Sequence, residues 1–494
     1  MTIMRRPIPS ESSVPAPGRA SSIRPSNGRW KAFGRPGTSR ARSATGLAEM
    51  KFRPALAMES FAELSEPSIA LLAAGGELWD DFLSTIHLPL ERFCHEGPGG
   101  WMLGYMDALA LEGVRTVLIL FSGQVPSPRR YLHAPSGNVI AVLPAPPRYL
   151  KLRPYVPDYR QLMGMQGLGG LKSVPARLAG SAASHASTPW RSLANELRLH
   201  RCRALLSQEY EYFRFDTTVV MGKRLGLPVF ATFQGSSTEP NLLSRAWKAP
   251  LVRRADGLII AASEEIDRVR RRYGRGVRVT QIFNPVDVRQ WHGRDRTQLR
   301  AELEIGPETC LVVWHGRIAI HDKGLDILLA AWAEVRRSRP DQDLRLMLMG
   351  TGEDASEFQR MIDEASDPTI SWRKDYVTDR EAIRRFLAAG DIYAFPSRLE
   401  GFAVAPVEAM ACGLPVVAAA ASGVPAIFRS ESDGGLVAPT GVAPTFAALL
   451  GSLIDDRDRR KRLAAAARMR AEEAFSLEHV GRQLRETLLN GDGR

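Results

Sequence analysis

The chain has 494 residues, 44% of them apolar and 24% charged, enough for two or more domains with ample core. No run reaches the roughly 18 uninterrupted apolar residues of a membrane-spanning helix, and four widely spaced cysteines (Cys94, Cys202, Cys310, Cys412) argue against a disulfide framework or zinc ribbon and fit a reducing compartment. The formal charge of +12 would suggest a polyanionic partner, but residues 1–47 hold nine Lys or Arg against Glu11 and so carry +8 of it; the remaining +4 is ordinary, and no nucleic-acid partner is expected.

Residues 1–62 are rich in Ser, Pro, Gly and Arg and lack apolar periodicity. Such a stretch cannot bury enough surface to offset its chain entropy, which predicts a disordered basic extension. It lacks the apolar core of a secretory signal; its Arg/Ser-rich composition resembles a transit peptide, but its Pro and Gly content does not suit that helix, and a dispensable or mis-assigned extension is expected, with Met50 or Met58 as alternative starts. Order begins at the buried run Ser68–Ala74. The interval 75–96 has no interpretable pattern, and Cys94-His95-Glu96 lacks the second His of a zinc motif. Gly97-Pro98-Gly99-Gly100 then precedes a helical stretch, Trp101–Leu109, and a strand, Val114–Phe121. A third strand, Asn138–Leu143, leads into an irregular stretch, 144–190. Its basic–aromatic cluster, Arg148–Tyr155, reads as an acceptor-binding or membrane-facing surface, or equally as a lid packed on its own domain.

Next come a helix (Trp190–His200), a strand (Ala204–Ser207), a helix (Thr217–Leu225), a strand (Pro228–Phe233) and the apolar run Ala255–Ser263. This βα alternation predicts a doubly wound parallel sheet with ligands at the carboxyl ends of its strands. Arg268, Arg270, Arg271, Arg272, Arg275 and Arg278 lie on a short helix and its exit turn without aromatic residues in series, and read as a solvated face.

The alternation resumes with a strand, Thr309–Trp314, followed by His315-Gly316-Arg317 and His321-Asp322-Lys323-Gly324. Leu325, Leu328, Leu329, Trp332 and Val335 then form the apolar stripe of a helix. Arg345–Met349 is a strand ending in Gly350-Thr351-Gly352, which lacks the third glycine of a dinucleotide fingerprint. Asp391–Phe395, a helix with Pro406 in its first turn and Gly413 past its end, and Val416–Ala418 make one βαβ unit. The backbone N–H groups of Phe402 to Val404 form an anion site at that helix's N-terminus. Glu400 and Glu408 flank it. Phosphate would repel them, so they should face neutral hydroxyls of a sugar or ribose; two solvated glutamates are the alternative.

Glu400-Gly401-Phe402…Glu408-Ala409-Met410-Ala411-Cys412-Gly413-Leu414-Pro415-Val416 closely resembles the signature of the retaining glycosyltransferases of family 4, the glycogen-synthase-like group 1 enzymes. The resemblance spans roughly 65–490 and is strongest from 310 to 440. It implies an α/β GT-B fold, two Rossmann-like doubly wound domains facing across a cleft: an acceptor-side domain at 63–288, a nucleotide-sugar domain at 289–475, and a helix at 476–494 crossing back. It implies retaining, metal-independent hexosyl transfer, with the nucleotide-sugar as co-substrate and no further cofactor. By resemblance, Arg317 and Lys323, both expected on exposed loops, clamp the leaving diphosphate, a role in which fixed cations offset developing charge. Glu400 holds the transferred sugar and Glu408 the ribose. Gly99, Gly100, Gly316, Gly401, Phe402, Ala403 and Val404 approach the donor, and Tyr376 lies where the base is read.

Two departures stand out. Gln234 replaces the family's usual His before Gly235, so no protein base is expected there, and Gly423-Val424-Pro425-Ala426 replaces a commoner Gly-Gly-x-Pro-Glu. The acceptor is unnamed, a membrane-associated glycan or lipid or a small molecule, as in polysaccharide biosynthesis at the cytoplasmic side of a membrane. The alternatives are a sugar-nucleotide epimerase or phosphorolytic enzyme on the same fold, or a silent sugar-nucleotide-binding module.

Overall fold

The structure is a computed structural model that describes residues 67–489 except 74–77, 86–87, 97–99, 135, 156–182, 236–241, 376 and 378. The expected extension at 1–62, Gly99 and Tyr376 lie outside the described residues.

The first domain is built on β1 (Ser68–Leu72), β2 (Arg115–Ser122), β3 (Arg129–Leu132), β4 (Val139–Pro144), β5 (Cys202–Ser207), β6 (Val229–Phe233), β7 (Gly257–Ile260) and β8 (Val279–Thr280), in the spatial order β3-β4-β2-β1-β5-β6-β7-β8. All pairs are parallel except β3 with β4. The apolar runs that announced these strands are buried on both faces. In β2, Val117, Ile119 and Phe121 enter one hydrophobic cluster while Leu118 and Leu120 enter the other, the period-two alternation of a strand covered by helices on both sides.

Two expectations are corrected, and the interval 75–96, without a pattern in the sequence, takes on structure. Asn138–Leu143 is the fourth strand, because an antiparallel edge strand, β3, precedes it; its Arg-Arg-Tyr-Leu sequence is mostly exposed and carries no buried run to betray it. The interval 75–96 holds two short helices, Trp79–Thr85 and Leu90–Glu96, which bury Trp79, Leu83, Leu90 and Phe93. Asp80 of the first accepts from Ser122 Oγ and Gly123 N at 2.7 Å each, holding the end of β2. Arg268 is not part of a solvated face. It reaches inward to Glu265 (2.5 and 2.8 Å) and Glu211 (2.7 Å), beside the Tyr210 hydroxyl, which donates to Glu265 at 2.5 Å. Burial pushes the Glu211 carboxyl up to about 7 despite Arg268, which pulls the other way. Arg270, Arg271, Arg275 and Arg278 are exposed as expected.

The second domain holds β9 (Cys310–His315), β10 (Leu344–Met349), β11 (Ile370–Arg373), β12 (Ile392–Phe395), β13 (Val416–Ala419) and β14 (Gly435–Ala438), all parallel, in the order β11-β10-β9-β12-β13-β14. The chain enters it beside Val286, whose N–H donates to Phe475 O at 2.8 Å, so the outgoing and returning segments touch. After Phe475 the helix Leu477–Leu489 returns to the first domain, where Val480, Leu484 and Leu488 complete a core cluster with helix Trp101–Leu111. A Cβ at Gly481 would lie 2.2 Å from Ala108 O, so only glycine lets the two helices approach this closely.

Candidate active site

In the second sheet, β9 has β10 on one side and β12 on the other, so the strand order departs in both directions from this point. Parallel sheets leave a crevice at the carboxyl ends of such strands. The residues that end β9 (His315, Gly316, Arg317) and those that follow β12 (Ser397 to Gly401) therefore meet here. The family-matched glutamates and cations lie on these two segments and on the short helices beside them.

Each glutamate carries a specific partner. Glu400 accepts from Lys323 Nζ at 2.6 Å, with the two side chains 11% and 21% exposed. Lys323 is therefore not on an exposed loop as expected: it ends the helix Ile320–Lys323 and is folded down onto the carboxylate. Arg317 is the exposed one, ion-paired to Glu353, with Asp322 at 3.7 Å. Glu408, one turn into the helix Val404–Ala411, pairs its Oε2 with His315 Nε2 at 3.1 Å.

The loop that carries Glu400 is fixed from both sides. Arg398 spans to Asp326 with two bonds of 2.7 and 2.6 Å, and its backbone N–H donates to Asp322 O at 2.8 Å. Burial pushes the Asp326 carboxyl up, but Arg398 more than offsets this and holds it below its ordinary value. Across the interdomain seam, a Cβ at Gly401 would lie 2.2 Å from the backbone of Gln234 and Gly235, and one at Gly235, whose φ is +105°, 2.7 Å from Gly401. Two glycines thus let the domains touch backbone to backbone beside Glu400. Ser397 Oγ, fully buried, has no hydrogen-bond partner among the described residues.

Phe402 turns its ring away into an aromatic cluster with Phe283 (5.5 Å) and Phe475 (6.0 Å), so only its backbone can serve a ligand. Ala403 is extended and caps the following helix without a side-chain bond, leaving the first-turn N–H groups, including that of Val404, without a side-chain cap. Gly316 lies between the paired residues His315 and Arg317. Gly100 is exposed at the N-terminus of helix Trp101–Leu111, and no described contact joins it to the carboxylate pairs.

Gln234 exchanges two side-chain hydrogen bonds with Asn284 (3.2 and 2.8 Å), while its backbone N–H donates to Glu209 at 2.9 Å. It braces the domain linker. Asn284, Glu209, Arg398 and His315 were not assigned roles from sequence. His315, directly before the matched Gly316-Arg317, and Asn284, in the Asn-Pro-Val-Asp stretch leading into the second domain, carried a positional signal; Glu209 and Arg398 are defined by partners tens of residues away.

Two doubly wound domains meeting beside such a crevice define the GT-B fold of glycosyltransferases. Sucrose-phosphate synthase from Thermosynechococcus elongatus shares that fold at a TM-score of 0.60, with 18% identity over 85% of this chain and 98% of that one. Residues 309–456 match the family model for Glycosyl transferases group 1. A D-inositol 3-phosphate glycosyltransferase of Nocardia farcinica is 31% identical over 263 residues, 52% of this chain and 57% of that one. A GDP-mannose-dependent monoacylated alpha-(1-6)-phosphatidylinositol monomannoside mannosyltransferase of Corynebacterium glutamicum is 28% identical over 244 residues, 47% and 62% of the two. The match thus spans little more than half the length of these relatives.

Proposed function

We propose that the chain is a retaining glycosyltransferase that moves a hexose from a nucleotide-sugar to an acceptor hydroxyl, without a metal or other cofactor. One observation carries this reading: Lys323–Glu400 and His315–Glu408 are assembled around the carboxyl ends of β9 and β12, with Arg317 on the same rim. A nucleoside diphosphate gains negative charge as it departs, and Arg317 and Lys323 are the preorganised cations that offset it. Glu400 holds the sugar hydroxyls and shields the positive charge that develops at the anomeric carbon. Glu408 binds the ribose. The bond from anomeric carbon to phosphate oxygen breaks, the bond to the acceptor oxygen forms on the same face, and the acceptor's proton leaves with the diphosphate. This route needs no protein base, in keeping with Gln234. The names of both relatives support sugar transfer, and that of the Corynebacterium protein a nucleotide-sugar donor.

We read the acceptor as a glycan, a lipid-linked sugar or a small molecule, reached with the chain on the cytoplasmic side, peripheral to a membrane. No helix among the described residues is long and apolar enough to cross one.

The test is a thermal-shift screen of ADP-, GDP- and UDP-sugars against the full chain, followed by product analysis with candidate acceptors. One nucleotide series should stabilise the protein, and nucleoside diphosphate should be released only when an acceptor is present. Stabilisation by no nucleotide-sugar would sink the reading. Free sugar or sugar phosphate formed without acceptor would replace it with the epimerase or phosphorolytic alternative.

A further inference from the structure

We infer that His315 is a positioning residue for the donor ribose: it sets the orientation of Glu408 and thereby lets the site distinguish ribose from a sugar lacking the vicinal hydroxyls. The inference rests on the assignment of Glu408 to the ribose and adds to it a residue and a specificity.

His315 is held in place on two sides. It is the last residue of β9, beside β12, and its own carbonyl accepts the Tyr393 hydroxyl at 3.2 Å. The Tyr393 ring stands edge-on to the imidazole with centroids 5.6 Å apart, so backbone and ring are both fixed by one fully buried tyrosine. The imidazole is itself only 9% exposed. Its Nε2 lies 3.1 Å from Glu408 Oε2, while Nδ1 is buried and has no partner among the described residues. A buried N–H without an acceptor is costly. The tautomer that avoids one carries its proton on Nε2 and donates it to the carboxylate.

That bond takes one of about four acceptor positions on the carboxylate. It fixes the plane of the group and leaves Oε1, which has no partner among the described residues, together with the second lone pair of Oε2. A carboxylate fixed in one plane with one oxygen tethered and the other free is arranged to accept two neighbouring hydroxyls. Without the imidazole, Glu408 would rotate about its side chain, and ordering it would fall to the ligand. The histidine touches no reacting atom in this scheme. It acts through Glu408, and its effect belongs in binding.

Isothermal titration of the full chain with ADP, GDP and UDP identifies the diphosphate that binds most tightly. That diphosphate and its 2′,3′-dideoxy form are then the probes for wild type, His315→Leu and His315→Gln. Wild type should prefer the ribose form by roughly tenfold or more, the scale of a hydrogen bond to a charged group. His315→Leu should lose most of that preference while binding the dideoxy form as wild type does. His315→Gln, whose amide N–H can reach the same oxygen, should recover much of it. In turnover, once donor and acceptor are known, KM for the donor should rise with kcat little changed.

If His315→Leu weakens both probes equally, the histidine is merely structural and the inference fails. Unchanged ribose preference in His315→Leu overturns it too, with the Glu408 assignment intact. Absence of a ribose preference in wild type removes the Glu408 assignment itself. Should His315→Leu not fold, His315→Gln decides alone: preference well below that of Glu408→Gln counts against the inference, and preference between that variant and wild type supports it.

Discussion

The two domains share one architecture and equip its carboxyl edge differently. In the second domain the edge is electrostatic: a lysine and a histidine each hold a carboxylate, and an exposed arginine is ion-paired beside them. In the first domain the edge that meets it is a neutral brace, where Gln234 and Asn284 exchange amide hydrogen bonds and Gly235 presents bare backbone. The difference suggests a division of labour on the proposed reading: one domain carries the charged side chains that would face a leaving group, and the other supplies the wall against which that charged loop is set. The contrast can be broken from either side.

The largest effect is expected at the cations. Arg317→Ala or Lys323→Ala should lower kcat about 10²–10³-fold, the usual loss for one group that stabilises transition-state charge. Single-turnover rates measure this, and near-wild-type turnover in either purified variant would remove its phosphate role. Lys323→Ala also frees Glu400, so its loss should be the larger of the two.

The wall should matter nearly as much, without carrying charge. In Gly401→Ala the new methyl must displace the Gln234–Gly235 backbone, and about 1 Å of misplacement is enough to cost about 10²-fold in rate. Gly413→Ala is the control: its φ is +76° but nothing lies within 4 Å of the added carbon, so it should lower stability by about 1 kcal/mol and spare turnover. Equal kinetic losses in the two variants would dissolve the contrast.

The glutamates sharpen it further. Glu400→Gln should depress kcat more than donor affinity, because positive charge appears at the sugar only as the bond breaks. Glu408→Gln should instead weaken donor binding, by about 1.5–3 kcal/mol or less. Donor titration with single-turnover rates separates the two; the reverse pattern would exchange their roles.

The smallest effect lies at the seam. Burial pushes the Asp107 carboxyl up to about 6, with Arg380 opposing and Asp287 reinforcing the shift. Its folded value exceeds its ordinary value of 3.8, so the neutral form is favoured by folding. The stability it contributes is present below that ordinary value and lost as pH rises through about 6. Asp107→Asn should flatten that slope and raise Tm at pH 7.5 by about 1–2 °C, read by differential scanning calorimetry from pH 4 to 8. An unchanged slope would show that Asp107 is not the group responsible.

What was legible in the sequence follows the same division. The second domain's site comes from two short segments, His315–Lys323 and Glu400–Glu408, so spacing alone preserves its pattern. Four of its strands were equally readable, because runs such as Leu311–Trp314 are buried on both faces, whereas the four-residue β11 and β14, partly exposed, gave no such run. The first domain's brace depends on Gln234 meeting Asn284, 50 residues on, and on Glu209, a non-glycine held at φ +58°; no local period encodes such meetings. Edge strand β3 was invisible for a related reason, since a four-residue strand exposed to solvent needs no apolar alternation. Lys323 was misplaced because a helix of four residues leaves almost no periodic signal, and its partner lies 77 residues away.

The helix Leu477–Leu489 carries a consequence for how the protein is made. Its Val480, Leu484 and Leu488 fill a core that otherwise belongs to the first domain. During translation, at about 5–20 residues per second, the first domain must therefore wait roughly 10–40 s between emergence of its last strand and arrival of this helix. Throughout that interval the apolar flank of helix Trp101–Leu111 stands open, while the second domain, nearly all of whose core lies between residues 286 and 475, can close by itself. The half synthesised first is thus the half completed last. Its nascent form has a period of exposure in which a chaperone, or a neighbouring nascent chain, can occupy the place reserved for the chain's own closing helix.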